Sequence, residues 1–548
     1  MTKNKINMKY NRLIAITVAL ATLTSFAASA AQDKDILLSE GWSIYPDSSP
    51  NTVYTADVPC TVMGALTSAG LYEDALVDTN YRNIDRTQFE QPWWYVKEFT
   101  LEALKEGQYA ELAFDGISYR ADVWLNGTQI ASADEFYGPF RQFAFDVTDV
   151  IKENNKLSVK VYRWQPGEFN IGFVDWNPRP ADESMGIFRP VWIRYSDAVS
   201  INNPVITSKV DTVELDEAWL TVETTLCNNS DAEVSGKLVG KFDGKKFTYP
   251  VTLAAGEKKT VKVTSEEAKA LYMKNPRLWW CHNLGTPEMY SMNLSFVIGK
   301  KVSDSQAVDF GVRQIDSYVN DTKGRQFVLN GKNVLIKGAG WTDDIFLRNP
   351  DERNLTEVSY VKHMNLNTIR FENIWGTSQN IYDICDRLGV FALVGWSCQW
   401  EWEVYTGKPN DRYGCVSTED EMNLIAESFE DQVLWLRNHP SIIGWYAASD
   451  MLPRPELEQR YLDMIEELDK AGIPAEQIVM ISFKENIVKI FKERYPEREA
   501  LWLTSFKANA DGTWNFTAEQ LIYACMIASA NDASIVLAEA VAGSQDAF

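Results

Sequence analysis

Thr368-Ile369-Arg370-Phe371-Glu372, a helical stretch near Ser378 to Leu388, and then Phe391-Ala392-Leu393-Val394-Gly395-Trp396 decide the fold. Short apolar runs rich in β-branched and aromatic residues alternate here with stretches of helical period, which is the pattern of strand, crossover helix and parallel strand. The rhythm extends in both directions. Upstream, Val334 to Ile336 reads as a strand and Glu352 to Met364 as a helix; downstream, a long helix around Glu419 to Asn438 precedes the apolar strand Ser441 to Tyr446. Four such units in a row are half of a (β/α)8 barrel.

Ahead of the barrel the period is two. Trp94 to Phe99, Tyr109 to Phe114, Ala121 to Leu125, Leu157 to Tyr162 and Val191 to Tyr195 are short alternating runs separated by turn residues, as in an all-β sandwich. Asn126-Gly127 after Val123-Trp124-Leu125 is a strong hairpin signal. A second β-rich block, with alternation in Trp219 to Thr225, Gly236 to Phe242 and Met292 to Val297, has the size of an immunoglobulin-like sandwich. The expected order is a jelly-roll β-sandwich over 31–200, an immunoglobulin-like β-sandwich over 201–317 and a (β/α)8-type barrel over 318–548.

Composition supports several cores and limits the chemistry. The chain has 548 residues, 45% apolar, and 76 acidic against 53 basic side chains. A net charge of −23 does not suit a phosphate-neutralising surface, so nucleic acid is not an expected partner. Only His282, His363 and His439 are present, without an HExxH or paired CxxC motif, so no metal or other cofactor is expected and the chemistry falls to carboxylates.

Residues 1–30 read as a secretory signal: Lys3, Lys5, Lys9 and Arg12, an apolar run from Leu13 to Phe26, then Ala28-Ser29-Ala30. The alternative, a membrane anchor, is disfavoured because a spanning helix needs roughly 20 apolar residues. A periplasmic or secreted protein without a membrane span is expected. Seven scattered Cys do not make a disulfide framework; a bridge between Cys398 and Cys415 is the one conceivable pairing.

In a (β/α)8 barrel the reactive groups sit at the C-terminal ends of the strands. Those ends read Gly338 to Asp344, Arg370-Phe371-Glu372-Asn373, Gly395-Trp396-Ser397-Cys398 and Ala447-Ala448-Ser449-Asp450. Trp341, Trp375, Trp396, Trp400 and Trp402 belong to the same end, and aromatic platforms beside carboxylates suit a pyranose, whose C–H faces meet rings while its hydroxyls meet acids and amides. Glu372 and Asp450 close otherwise apolar strands and are the preferred functional acids. Asp343, Asp344, Glu401 and Glu403 read as acids of solvated loops.

Ordered motifs then resemble glycoside hydrolase family 2 over residues of about 36–469. Trp93-Trp94-Tyr95, Phe114-Asp115-Gly116, Ala121 to Gly127, Phe173 to Pro178 and Met185-Gly186-Ile187-Phe188-Arg189-Pro190 look like its sugar-binding sandwich. Asn275 to Trp280 and Phe310 to Arg313 resemble the end of its immunoglobulin-like domain. Leu329 to Lys332, Asn367 to Arg370 and Arg437-Asn438-His439-Pro440-Ser441 resemble its barrel. Ser449-Asp450, where most of the family has Asn-Glu, points to the exo-β-D-glucosaminidase and β-mannosidase-like branch. The resemblance implies a retaining hydrolase of terminal β-glucosaminides or β-mannosides with an oligosaccharide or glycoside as partner, and Asp450 as the general acid/base. It also implies substrate contacts from Asp175, Trp176 and Asn177 of the sandwich, and from Glu372, Trp375, Trp396 and Ser449 of the barrel. Ser397 stands where amino-sugar members carry an acid, which leaves β-mannoside as the other substrate.

The motif resemblance ends near Asp469, before the family's nucleophile strand. Residues of about 475–525, with Ile478 to Phe483 and Ala500 to Ser505, resemble part of a glycerophosphodiester phosphodiesterase barrel. The expected barrel is therefore incomplete or chimeric, and a fusion or sugar-binding relic lacking the nucleophile is the alternative function. Glu539 is best read as a surface residue.

Overall fold

The structure, a computed structural model, describes residues 35–72, 74–172, 177–320, 324–371, 376–395, 408–409, 411–447, 453–469, 478–482 and 500–502. They form two β-sandwiches, a small antiparallel ribbon and a parallel sheet flanked by helices.

In the first sandwich a six-stranded sheet centred on Trp93–Thr100 and Asn154–Tyr162 faces a four-stranded sheet centred on Val191–Ser196 and Tyr109–Phe114. The alternation in the sequence is the alternation of the faces. Along Arg120–Leu125, Ala121, Val123 and Leu125 are fully buried while Trp124 lies on the other face, packed on Trp94 at 5.4 Å between ring centroids. The hairpin that follows turns on Asn126 and Gly127, both left-handed at φ 54° and 84°, a turn whose twist suits the paired strands. The second sandwich pairs the sheet of Val199–Val210, Glu217–Asn228 and Lys258–Val263 with that of Lys245–Leu253, Val234–Phe242, Tyr290–Ile298 and Lys301–Phe310.

One expectation is corrected where the chain approaches the barrel. Val334 does not open the parallel sheet; Lys332–Val334 folds back on Arg325–Leu329 in the antiparallel ribbon. The cause is local: Asn330 and Gly331 have φ 47° and 78°, and this left-handed pair closes a tight hairpin before the barrel begins.

The parallel sheet has the order β1 (Gly338–Trp341), β2 (Thr368–Phe371), β3 (Phe391–Gly395), β4 (Ile442–Tyr446), β5 (Ile478–Ser482) and β6 (Ala500–Trp502). Its helices are α1 (Asp351–His363), α2 (Asn380–Leu388), α3 (Glu419–Leu436) and α4 (Pro455–Asp469). The α3 start is written in the sequence as a capping box: the Thr418 side chain accepts from the Glu421 amide and the Glu421 carboxylate accepts from the Thr418 amide. The α2 end is a left-handed Gly389. β5 and β6 continue the same parallel order through the stretch whose motifs resemble a phosphodiesterase barrel. Among the described residues the sheet is open rather than closed into a ring.

The segment between α3 and β4 joins two domains. Arg437 pairs with Glu223 of the second sandwich at 3.1 Å, both side chains being buried, and donates to the Asn203 carbonyl. Asn438 accepts from the Ile206 amide and donates to the Asp309 carbonyl, at 3.0 and 2.6 Å. The neighbouring His439 bonds Asp386 of α2 at 2.7 Å, and Asp386 also accepts from the Ser441 amide, fixing the start of β4.

Cys60, Cys227, Cys281 and Cys385 are free thiols, and burial pushes Cys60 up to about 12. Cys398, one end of the conceivable bridge, lies outside the described residues. No helix among the described residues is long and apolar enough to cross a membrane.

Candidate active site at the strand ends of the barrel

The parallel register brings the C-terminal ends of the first four strands to one level. Trp341 stands opposite Phe371, Phe371 opposite Val394, and Gly395 opposite Tyr446. β3 and β4 are short, apolar and buried throughout, so both faces of the sheet are covered at these two strands. Packing dictates the glycine at 395. A Cβ there would lie 2.1 Å from the Tyr446 side chain, so only glycine admits that ring between the ends of β3 and β4. Arg370 lies over the same ring at 5.5 Å, and Trp341, Phe371 and Tyr382 form a chain of ring contacts at 5.9 and 5.1 Å behind the strand ends.

Two acids immediately past β1 correct the sequence reading. Asp343 and Asp344 are 8% and 9% exposed, not solvated. For Asp344 the physical reason is the pair of cations that follow it. Asp344 takes hydrogen bonds from Nε and Nη2 of Arg348 at 3.0 and 2.9 Å and from Arg353 Nη1 at 3.1 Å, and the Phe346 amide adds another. Burial alone would raise its proton affinity, but the Arg348 bonds and charge prevail and hold the carboxyl below the usual range. Asp343 has no such partner. Oδ1 accepts from Asn349 Nδ2 at 2.7 Å, Oδ2 is buried without a partner, and burial pushes the carboxyl up to about 7. Burial thus favours the neutral form of this acid.

Arg189 enters the sequence reading only as part of a motif, and the structure gives it a position. It leaves the sandwich fully buried, donates from Nε to the Gly376 carbonyl at 3.0 Å and from Nη1 to Gln432 Oε1 of α3 at 2.8 Å. Burial pulls the guanidinium down to about 10, with the charges of Tyr382, Asp115 and Asp343 opposing. Gly376 follows directly on the segment after β2 that carries Glu372 and Trp375, so this arginine holds the far end of that segment. Its signal in the sequence is an arginine set between Phe188 and Pro190 in an otherwise apolar run, a context that favours burial.

Of the residues assigned to the site, Asn177 is described, half-buried in a bend. Asp175, Trp176, Glu372, Trp375, Trp396, Ser449 and Asp450 lie outside the described residues, as do Trp400, Trp402, Glu401, Glu403 and Glu539. Among the described residues, Asp383, Asp386 and His439 are grouped so that their oxygen and nitrogen ligand atoms lie within 4.8 Å. Both Asp386 oxygens are engaged, one by His439 and one by the Ser441 amide, so the group acts as a structural clasp at the foot of β4.

Comparison with known proteins places this architecture. Residues 42–168 match the glycosyl hydrolase 2 galactose-binding domain-like family, residues 199–313 match glycosyl hydrolases family 2, and residues 320–514 match its TIM barrel domain. The barrel match thus runs on through β5 and β6, beyond the last family motif recognised in the sequence. An exo-β-D-glucosaminidase of Streptomyces avermitilis is 32% identical over 422 residues, which is 76% of this chain and 46% of the relative. One of Amycolatopsis orientalis is 34% identical over 432 residues, 78% of this chain and 40% of the relative. A β-mannosidase of Capra hircus is 26% identical over 76% of this chain and 50% of its own length. The crystal structure of the Amycolatopsis orientalis exo-chitosanase CsxA superposes with a TM-score of 0.73 at 30% identity, covering 81% of this chain and 53% of that one. The chain spans about half the length of the curated relatives it matches. With a galactose-binding-like sandwich, an immunoglobulin-like sandwich and a TIM-barrel domain in the family's order, and with motifs matched across all three, the chain belongs to glycosyl hydrolase family 2.

Proposed function

We propose that the chain is an exported glycoside hydrolase that removes terminal β-linked sugars, β-glucosaminide or β-mannoside, by a retaining two-carboxylate mechanism. The observation that supports it most is the common level of the β1 to β4 ends, each of which leads in sequence into a segment bearing a carboxylate or an indole. Relatives that share this order of domains are exo-β-D-glucosaminidases and β-mannosidases.

In this reading Asp450, four residues past the end of β4, protonates the leaving glycosidic oxygen and later takes the proton from the attacking water. A second carboxylate, about 5 to 5.5 Å from it in such enzymes, attacks the anomeric carbon. Asp175, Trp176 and Asn177 from the sandwich, with Glu372, Trp375, Trp396 and Ser449, line the sugar. Release of nitrophenol from the β-glucosaminide and the β-mannoside, compared with Asp450→Ala, tests this. Turnover lost by at least about 1,000-fold in the variant is the expected result; unchanged turnover overturns the role of Asp450.

A second reading is a sugar-binding relic or fusion without a nucleophile, since the motif resemblance ends near Asp469. It predicts sugar binding by calorimetry with no turnover of either nitrophenyl glycoside.

A further inference from the structure

Along the flank of the barrel, the three domains line an open cavity of about 1140 Å3. Its walls come from the first sandwich, the second sandwich and the outer flank of the barrel along α2 and the end of α3. This exceeds the roughly 300–1,000 Å3 of ordinary ligand pockets and accommodates several sugar rings. Its lining reaches from the segments that follow β1 and β2, at Leu347 to Asp351 and Thr377 to Gln379, down the flank of α2 to Asn438 and His439.

The lining has two components that point the same way. The first is the chemistry of sugar recognition: the half-buried indole of Trp192 on the sandwich wall, and side-chain amides from the second sandwich and the barrel, Asn203 and Asn380 among them. Amides and an aromatic surface in one cleft satisfy hydroxyls and C–H faces together. The second is charge. Seven aspartates line the cavity against two arginines and one histidine. The cations are already engaged: Arg348 with Asp344, Arg194 with Asp115, and His439 with Asp386. Asp309 of the second sandwich and Asp383 of α2 line the cavity from the two sides of the domain seam, near enough for the Asp309 charge to act on Asp383. Burial raises the Asp383 carboxyl, the Asp386 and Asp309 charges add to the rise, and His439 and Arg387 oppose it. Asp309 has no ion pair among the described residues, and His439, at 3.9 Å from Asp383, spends its stronger bond on Asp386.

We propose that this three-domain cavity is a second saccharide site, which holds a cationic, amino-sugar oligosaccharide by placing an ammonium group between Asp309 and Asp383. The proposal rests on the reading of the chain as a glycosidase and narrows it: an acidic cleft beside the catalytic domain holds an amino-sugar polymer more tightly than a neutral mannoside. Such a site keeps a polycationic chain on the enzyme between successive cleavages at the mouth.

The test is calorimetric titration of the full chain carrying Asp450→Ala, which keeps the probe intact, with a trisaccharide of β-1,4-linked glucosamine, and separately with a neutral mannotriose. The expected result is two glucosamine trisaccharides per chain, reduced to one by Asp309→Asn with Asp383→Asn, the remaining site unchanged and the lost one weakened at least tenfold. Mannotriose should not fill the second site. Both substituted carboxylates are partly exposed, so the fold is expected to persist, and an unchanged unfolding midpoint confirms it. With Asp450 restored, the double variant should hydrolyse the nitrophenyl glucosaminide at the parental rate. One trisaccharide per chain, indifferent to the double substitution, overturns the cavity site and leaves the catalytic reading standing. One trisaccharide lost with the double substitution, in a chain without turnover, upholds the cavity and overturns the catalytic reading. No binding overturns the cavity site, and turnover decides the other.

Discussion

The guanidinium carbon of Arg189, a residue of the first sandwich, lies 4.2 Å from the ring centroid of Trp435 on barrel helix α3. Stacking and two sets of hydrogen bonds therefore cross one domain boundary at one side chain.

Replacing Arg189 by Ala leaves Gln432 and the Gly376 carbonyl without their donor and opens a void against Trp435. A loss of about 3 to 5 kcal/mol is expected from urea unfolding. Arg189→Lys should recover less than half of it, because an ammonium cannot stack and reach both acceptors at once. Recovery of full stability by Lys would show that charge alone matters here.

Asp343→Asn should change the pH dependence of stability. Burial raises the folded carboxyl to about 7, so folding disfavours its charged form. The native chain then loses stability as pH rises from the unfolded value near 4 to about 7, by at most about 4 kcal/mol. The neutral amide removes this loss: the variant should match the parent at pH 4 and exceed it at pH 8. Equal stability at pH 8 would place the carboxylate in a solvated setting.

The clasp between Asp386 and His439 has the opposite sign. Burial lowers the proton affinity of the imidazole, but the charges and bond of Asp386, then Asp383, raise it above its ordinary value of 6.5. Its contribution is complete below that value and fades as pH climbs through the folded pKa. Asp386→Asn keeps an acceptor for the Ser441 amide, yet should cost roughly 3 kcal/mol at pH 5.5 and clearly less at pH 9, read from denaturant midpoints at the two pH values.

Gly395→Ala should be out of proportion to its single methyl group. The new Cβ would fall 2.1 Å from the Tyr446 Cβ, so one of the two strands must move, at about 1 to 3 kcal/mol, with loss of the proposed glycosidase activity. Tyr446→Gly in the same chain, which removes the clashing Cβ, should restore part of the stability, and strict additivity of the two losses would sink the explanation.

Periodicity makes most of the fold legible. The β2, β3 and β4 strands, the α1 to α3 helices and the Asn126-Gly127 hairpin all follow from spacing and turn chemistry that act within a dozen residues. Val334 departs from its expected place because Asn330-Gly331 closes a hairpin too soon for a barrel strand, and that dipeptide is itself a turn signal. Asp344 departs for a related reason: its partners Arg348 and Arg353 stand four and nine residues on, close enough in sequence to suggest a buried pair. The position of Arg189 has no comparable sign, since its acceptors Gly376 and Gln432 are 187 and 243 residues away. The proposed substrate residues come from family motifs, because no local period marks a sugar contact, and all but Asn177 lie outside the described residues.

The three residues Arg437, Asn438 and His439 face two ways, toward the middle domain and toward the root of a barrel strand. A barrel severed from its middle domain would keep a guanidinium in its wall with no carboxylate opposite and amides bonded to nothing. Recombination at that boundary is thereby discouraged, and heating should melt the middle domain and the barrel in a single cooperative step.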